Sequence, residues 1–145
     1  MSKYRFEILH PYTMIKKWDE LLIHIERVVR VSNNEFSAES IKQRILSNNG
    51  MMMVVYEDEQ IKAVNTAEVV TFDSGKRALM IPIFEGDDLF TWGPSWLEML
   101  VDIAKEYNCT ELRGLAVRGG WSRALKHYGW RANYEVITMP IGEQL

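Results

Sequence analysis

Polar and apolar residues alternate at the start of the chain. Tyr4, Phe6 and Ile8 are separated by Arg5 and Glu7, a two-residue period that predicts a half-buried strand. After His10 and Pro11 the period lengthens. Met14, Ile15, Trp18, Leu21, Leu22, Ile25, Val28 and Val29 recur at helical steps, predicting one long amphipathic helix broken by Asn33 and Asn34. Ser37 is a predicted N-cap for a second helix carrying Ile41, Ile45 and Leu46, with Glu39 near its positive end. Asn48, Asn49 and Gly50 stop that helix. Met51 to Tyr56 is a continuous apolar strand, and Glu57 to Gln60 is its polar turn. Ile61 to Thr71 is the next strand, with a hairpin signal at Asp73 to Lys76. Ala78 to Phe84 is a further apolar strand, which Pro82 predicts to be splayed, bulged or unpaired at that point.

The second part of the chain repeats the alternation of strand and helix. Glu85 to Asp88 reads as an acidic loop, and Thr91 to Tyr107 as a helix with Pro94 in its first turn. Leu112, Leu115 and Val117 mark a thin strand, and Gly119 with Gly120 marks a tight turn. Trp121, Ala124, Leu125 and Tyr128 share one face of a short helix, and Gly129 suits its left-handed cap. Asn133 to Met139 is a final predicted strand. The predicted order is β-α-α-β-β-β-α-β-α-β, an α/β (α+β) fold occupying residues 1–145 as a single domain, with no linker or internal repeat.

Composition narrows the function classes. A net charge of −3 gives no global pull toward nucleic acid or acidic membranes. No apolar run approaches the roughly 20 residues that span a bilayer, and the first residues lack an apolar signal core. One cysteine, Cys109, excludes an internal disulfide and fits a reducing compartment. Five tryptophans exceed what one core of this size needs, so some are expected on a contact surface.

The segment Ala124, Leu125, Lys126, His127, Tyr128, Gly129, Trp130 resembles the helix end Leu-Tyr-x-x-x-Gly-Phe of the GCN5-related N-acetyltransferase (GNAT) fold. The element order matches that fold over nearly the whole chain. The run from Arg118 through Gly119 and Gly120 to Trp121 is similar to GNAT-like proteins encoded by tailed phages. The resemblance implies a mixed, mostly antiparallel sheet with helices on both faces, splaying where the fourth strand meets the fifth.

It also implies three chemical requirements. The pyrophosphate of acetyl-CoA needs a glycine-rich loop and helix N-terminus after the fourth strand. The matching segment, Glu85 to Trp96, lacks that spacing, carries Glu85, Asp87 and Asp88, and has no Lys or Arg. The departing thiolate needs an acid. The family's tyrosine position is Leu125 here, and Tyr128 is the candidate substitute, otherwise a core aromatic. The incoming amine needs a base. Glu85 follows the fourth strand, where members place a carboxylate; its competing reading is a solvated loop acid.

Other candidates are weaker. Arg118, Gly119 and Gly120 could form an anion-binding nest, helped by Arg113 and Arg123, or a plain turn with solvated arginines. His10 and His24 have no acidic partner at ligand spacing, His127 reads as exposed, and Cys109 as a small buried residue. No metal site is expected.

Two functions follow as expectations. In the first, the acetyl-CoA site is degenerate, no cofactor is bound, and the chain acts through a protein partner. The phage resemblance implies a virion or assembly role among head or tail components, in several copies, in the host cytoplasm or virion. In the second, the chain is an acetyl-CoA-dependent N-acetyltransferase with Glu85 as base and Tyr128 as acid. An intracellular inhibitor or regulator of a host protein is a third reading. Membrane and nucleic acid are expected as partners in none of them.

Overall fold

The computed structural model describes residues 3–32, 35–114 and 119–142. Its elements are β1 (Tyr4–Leu9), α1 (Pro11–Lys16), α2 (Trp18–Arg30), α3 (Ala38–Leu46), β2 (Met51–Glu57), β3 (Gln60–Thr71), β4 (Arg77–Ile81), β5 (Phe84–Gly86), α4 (Leu89–Glu106), β6 (Glu111–Gly114) and α5 (Gly119–Lys126). The sheet runs β1-β2-β3-β4-β6, with β5 also paired to β3. All pairings are antiparallel except β4 with β6.

The apolar run in β2 is continuous because both of its faces are covered. Met52, Val54 and Tyr56 pack with Met14, Leu21, Ile25, Ile41 and Ile45 of the first three helices. Met53 and Val55 pack on the other face with Leu89, Trp92, Trp96, Leu100 and Ile103 of α4. Side chains of Leu, Ile or Trp size each contribute about 1.5–3 kcal/mol on burial, so this central strand anchors both layers.

Local signals account for most boundaries. Ser37 caps α3 in a reciprocal pair with Ser40, each backbone N–H reaching the other's hydroxyl at 3.0 Å. Asn48 takes positive φ just after that helix. Asp58 and Glu59 both take positive φ, forming the tight turn between β2 and β3. Gly129 takes positive φ at the end of α5, and the Trp130 N–H returns to the Leu125 carbonyl at 3.2 Å.

Four expectations are corrected. The first long helix is two, α1 and α2, meeting at Lys17, whose ψ of 7° is not helical. It ends at Arg30, and the predicted breaker at Asn33 and Asn34 lies outside the described residues. The fourth strand is interrupted at Pro82, as expected, into β4 and β5, both on the same edge of β3, because proline cannot supply a ladder N–H. Helix α4 starts at Leu89, a buried residue that draws the helix start toward the core. Pro94 therefore sits in its second turn, where the helix loses the bond to the Phe90 carbonyl. The last predicted strand, Asn133 to Met139, is not a strand: residues 131–142 are exposed, and β6 is described over only four residues, a short ladder to pair with.

The tryptophans are the fourth correction. Trp92 and Trp96 are buried, while Trp18 and Trp130 are half-buried against the two cores. The side chain of Trp121 lies outside the described residues. Phe84 explains the demand: it stacks on Trp92 and meets Trp96 edge-on, filling the layer under β5 with rings.

Candidate active site

Glu85 is not a solvated loop acid. It is the middle residue of β5, paired across the ladder with Val64, and its side chain is 8% exposed. Strand alternation turns it to the face covered by α2, between the inward positions of Ile83 and the helix. There it meets two bases one helical turn apart. His24 Nδ1 lies 2.6 Å from Glu85 Oε2, and Arg27 Nη1 donates to Oε1 at 3.1 Å. Burial pushes the Glu85 carboxyl up, but the hydrogen bonds from His24 and Arg27 outweigh it and hold the group below the usual carboxylate range. The His24 side chain is 14% exposed and that of Arg27 is 51% exposed, so the cluster opens outward along α2.

The expectation that His24 lacks an acidic partner is thereby overturned. The partner is 61 residues away in sequence, and no local spacing could reveal it. The sequence held one usable signal. His24 and Arg27 border the buried stripe of Leu21, Ile25 and Val28, so a titratable ring was bound to lie at the edge of the core.

The acids around the start of α4 are also compensated from a distance. Lys62 of β3 places its Nζ 2.9 Å from Asp88 Oδ2 and 3.7 Å from Glu57 Oε1. Asp88, in the left-handed region, makes no side-chain cap to α4, and that helix has no acid in its first turn. The Thr91 N–H is taken by the Asp88 carbonyl, and the Trp92 indole donates to the Asp87 carbonyl at 2.7 Å. The backbone N–H groups of Leu89 and Phe90 have no acceptor among the described residues. An anion at this helix start would find free donors and the helix dipole, with the nearby Lys62 ammonium already paired to Asp88. Lys62 offsets part of the charge of Asp87, Asp88 and Glu57, so the repulsion expected from loop composition is reduced but not removed. No glycine cradle is present, since Gly86 is needed for close approach to Ala63 and Gly93 for contact with Leu89.

The other predicted residues are placed as follows. Tyr128 is half-buried on the α4 core, beside the Phe90 ring, with its hydroxyl facing Gly93. No described contact joins it to Glu85. Leu125 packs in the same core. Arg118 lies outside the described residues. Gly119 and Gly120 form the first turn of α5 instead of a separate turn before it. Arg113 is engaged by Glu111 and by the rings of Phe72 and Tyr134, so it does not serve a nest at α5. His10 caps α1 by accepting from the Tyr12 N–H. His127 is exposed against Phe90, and Cys109 is half-buried on the α4 core. Among the described residues no group of His, Cys, Asp and Glu could hold a metal, and no helix is long and apolar enough to cross a membrane.

No protein-family model matches the sequence, and no curated protein aligns with it. In three dimensions the chain is similar to several solved acetyltransferases. It superposes on a ribosomal-protein-alanine N-acetyltransferase from Brucella melitensis biovar Abortus 2308 with a TM-score of 0.73 and 12% identity, over 96% of this chain and 99% of that one. A predicted acetyltransferase from Clostridium acetobutylicum, solved with acetyl-CoA, gives 0.68 and 15% over 94% and 96% of the two chains. A GNAT family acetyltransferase from Staphylococcus aureus gives 0.67 and 13% over 97% and 100%. The fold is that of the GCN5-related N-acetyltransferases, a mixed α/β fold with a mostly antiparallel sheet.

Proposed function

We propose that the chain is an acetyl-CoA-dependent N-acetyltransferase whose cofactor loop departs from the usual glycine-rich form. The observation that carries this reading is the buried Glu85 carboxylate, held by His24 and Arg27 just past the break in the fourth strand. A buried ionised carboxylate is costly unless it is paired, and such clusters gather where proton transfer is needed. Acetyl-CoA would supply a thioester carbonyl. Its phosphates would meet the free N–H groups of Leu89 and Phe90, with Lys62 reaching them by exchanging Asp88 for a phosphate, and Tyr128 is the candidate proton source for the thiolate. The test is calorimetry with acetyl-CoA, followed by thiol release in the presence of primary amines. Micromolar binding with amine-dependent release supports the reading, and absence of both removes it.

The exposed C-terminal run favours a second reading. Tyr134, Val136, Ile137, Met139 and Ile141 are all exposed, an apolar stretch suited to contact with another protein. In that reading the chain has a degenerate acetyl-CoA site and works as an interaction or assembly component, in keeping with its resemblance to phage proteins. Co-purification with assembled particles, lost on removing residues 133–142, would support it. A monodisperse protein that turns over acetyl-CoA and joins no particle would rule it out.

A further inference from the structure

We propose that His24 is the base that takes the proton from the incoming amine, with Glu85 as the residue that fixes its tautomer. The proposal rests on the acetyltransferase reading above and deepens it. An ionised carboxylate only accepts hydrogen bonds, so the proton in the 2.6 Å contact belongs to His24 Nδ1. A ring protonated on Nδ1 alone carries its lone pair on Nε2. Among the described residues nothing bonds to Nε2, it is not among the fully buried unpartnered atoms, and the side chain is partly exposed. Glu85 itself is poorly placed as the base. Its two oxygens are occupied by His24 and Arg27, and it lies behind them.

The substrate class is a primary amine arriving as its ammonium form. His24 Nε2 removes one proton. The amine nitrogen then bonds to the acetyl carbonyl carbon as the bond from that carbon to sulfur breaks. A second proton from nitrogen ends on the thiolate, and the imidazolium returns its proton to water. The products are an amide, a thiol and one proton, with no change of oxidation state. While His24 is charged, Glu85 stabilises the imidazolium across the same short contact.

The trio has an alternative role as a tie between α2 and β5, and the experiment separates the two. Heteronuclear NMR of the histidine rings in the full chain reads the tautomer directly. The expected result is a protonated Nδ1 in the wild type. In Glu85→Gln, the amide oxygen faces Arg27 and its N–H faces the ring, so the proton moves to Nε2. His24→Asn keeps a donor near Glu85 but has no base. Its thiol release, with spermidine and a lysine peptide as amine probes, falls about a hundredfold or more. Its KM for acetyl-CoA stays within about twofold. His24→Gln serves if the asparagine variant does not fold.

Amine-dependent release that survives in a folded His24→Asn protein overturns the role of His24 and leaves the acetyltransferase reading standing. A wild-type ring protonated on Nε2 overturns it likewise. Failure of the wild type to bind acetyl-CoA or acetylate either probe overturns both.

Discussion

Trp96 of α4 donates its indole N–H to Asn65 Oδ1 of β3 at 2.9 Å, inside the core. Asn65 is buried, and its amide nitrogen is satisfied by the Thr66 carbonyl at 3.2 Å. The pair fixes the rotation of α4 over the sheet. Asn65→Ala strands a buried donor, and Trp96→Phe strands a buried acceptor. Each is expected to cost about 1–3 kcal/mol. Urea unfolding of both single variants and the double variant checks this, with a double-variant cost below the sum of the singles.

Thr66, next in the strand, offers the opposite case. Its Oγ1 is buried and has no hydrogen-bond partner among the described residues. Thr66→Val keeps the shape and the β-branched preference while removing the unmet hydroxyl. Stability is expected to hold or rise by about 1 kcal/mol, read as a higher urea midpoint at unchanged slope.

Glu85 gives the protein an acid-sensitive term. Its folded carboxyl lies below the usual range, so the stabilisation it provides is fully present above the unfolded value. It is lost as pH falls through the folded value. The urea midpoint should therefore fall on acidification below about pH 4.3, the ordinary glutamate value. Glu85→Gln should be less stable at pH 7 by about 2 kcal/mol and should show a flatter acid limb.

Gly86 is fixed by packing. A Cβ at this position would come within 2.4 Å of Ala63 Cβ, and φ is +155°. Gly86→Ala is expected to destabilise by about 3 kcal/mol or more, because neither strand can move without breaking the ladder. Gly75, also at positive φ, has nothing within 4 Å. Gly75→Ala should cost about 1 kcal/mol through backbone strain alone, so thermal melts of the pair separate crowding from strain.

On the acetyltransferase reading proposed above, Lys62 bears on cofactor binding. Lys62→Ala removes the ammonium paired with Asp88. The freed carboxylate can then cap the helix and compete with a phosphate. Acetyl-CoA affinity should fall by about 1 kcal/mol, roughly fivefold, in calorimetry. Folding stability should change by less than about 1 kcal/mol, because the Asp88 partner is exposed.

Much of the fold could be read along the chain, because periodicity reports burial. The two-faced burial of β2, the stripe of α4, the cap at Ser37 and the stop at Gly129 are local properties. The site was less legible, because its charges are settled between segments far apart. Glu85 is held by His24 and Arg27, and Asp88 by Lys62, so loop composition overstated the negative charge at α4. The final strand failed for a related reason: apolar spacing predicts a strand but supplies no partner for it.

The two-sided packing of β2 has a consequence for how the nascent chain matures. One cover, α1 to α3, leaves the ribosome before β2, and the other, α4, leaves after it. Until Leu89–Glu106 has been synthesised, Met53, Val55 and Leu79 present an open oily surface. At translation speeds of about 5–20 residues per second, that interval lasts on the order of seconds. A ribosome paused within the codons for α4 would hold the half-built protein as a client for chaperones.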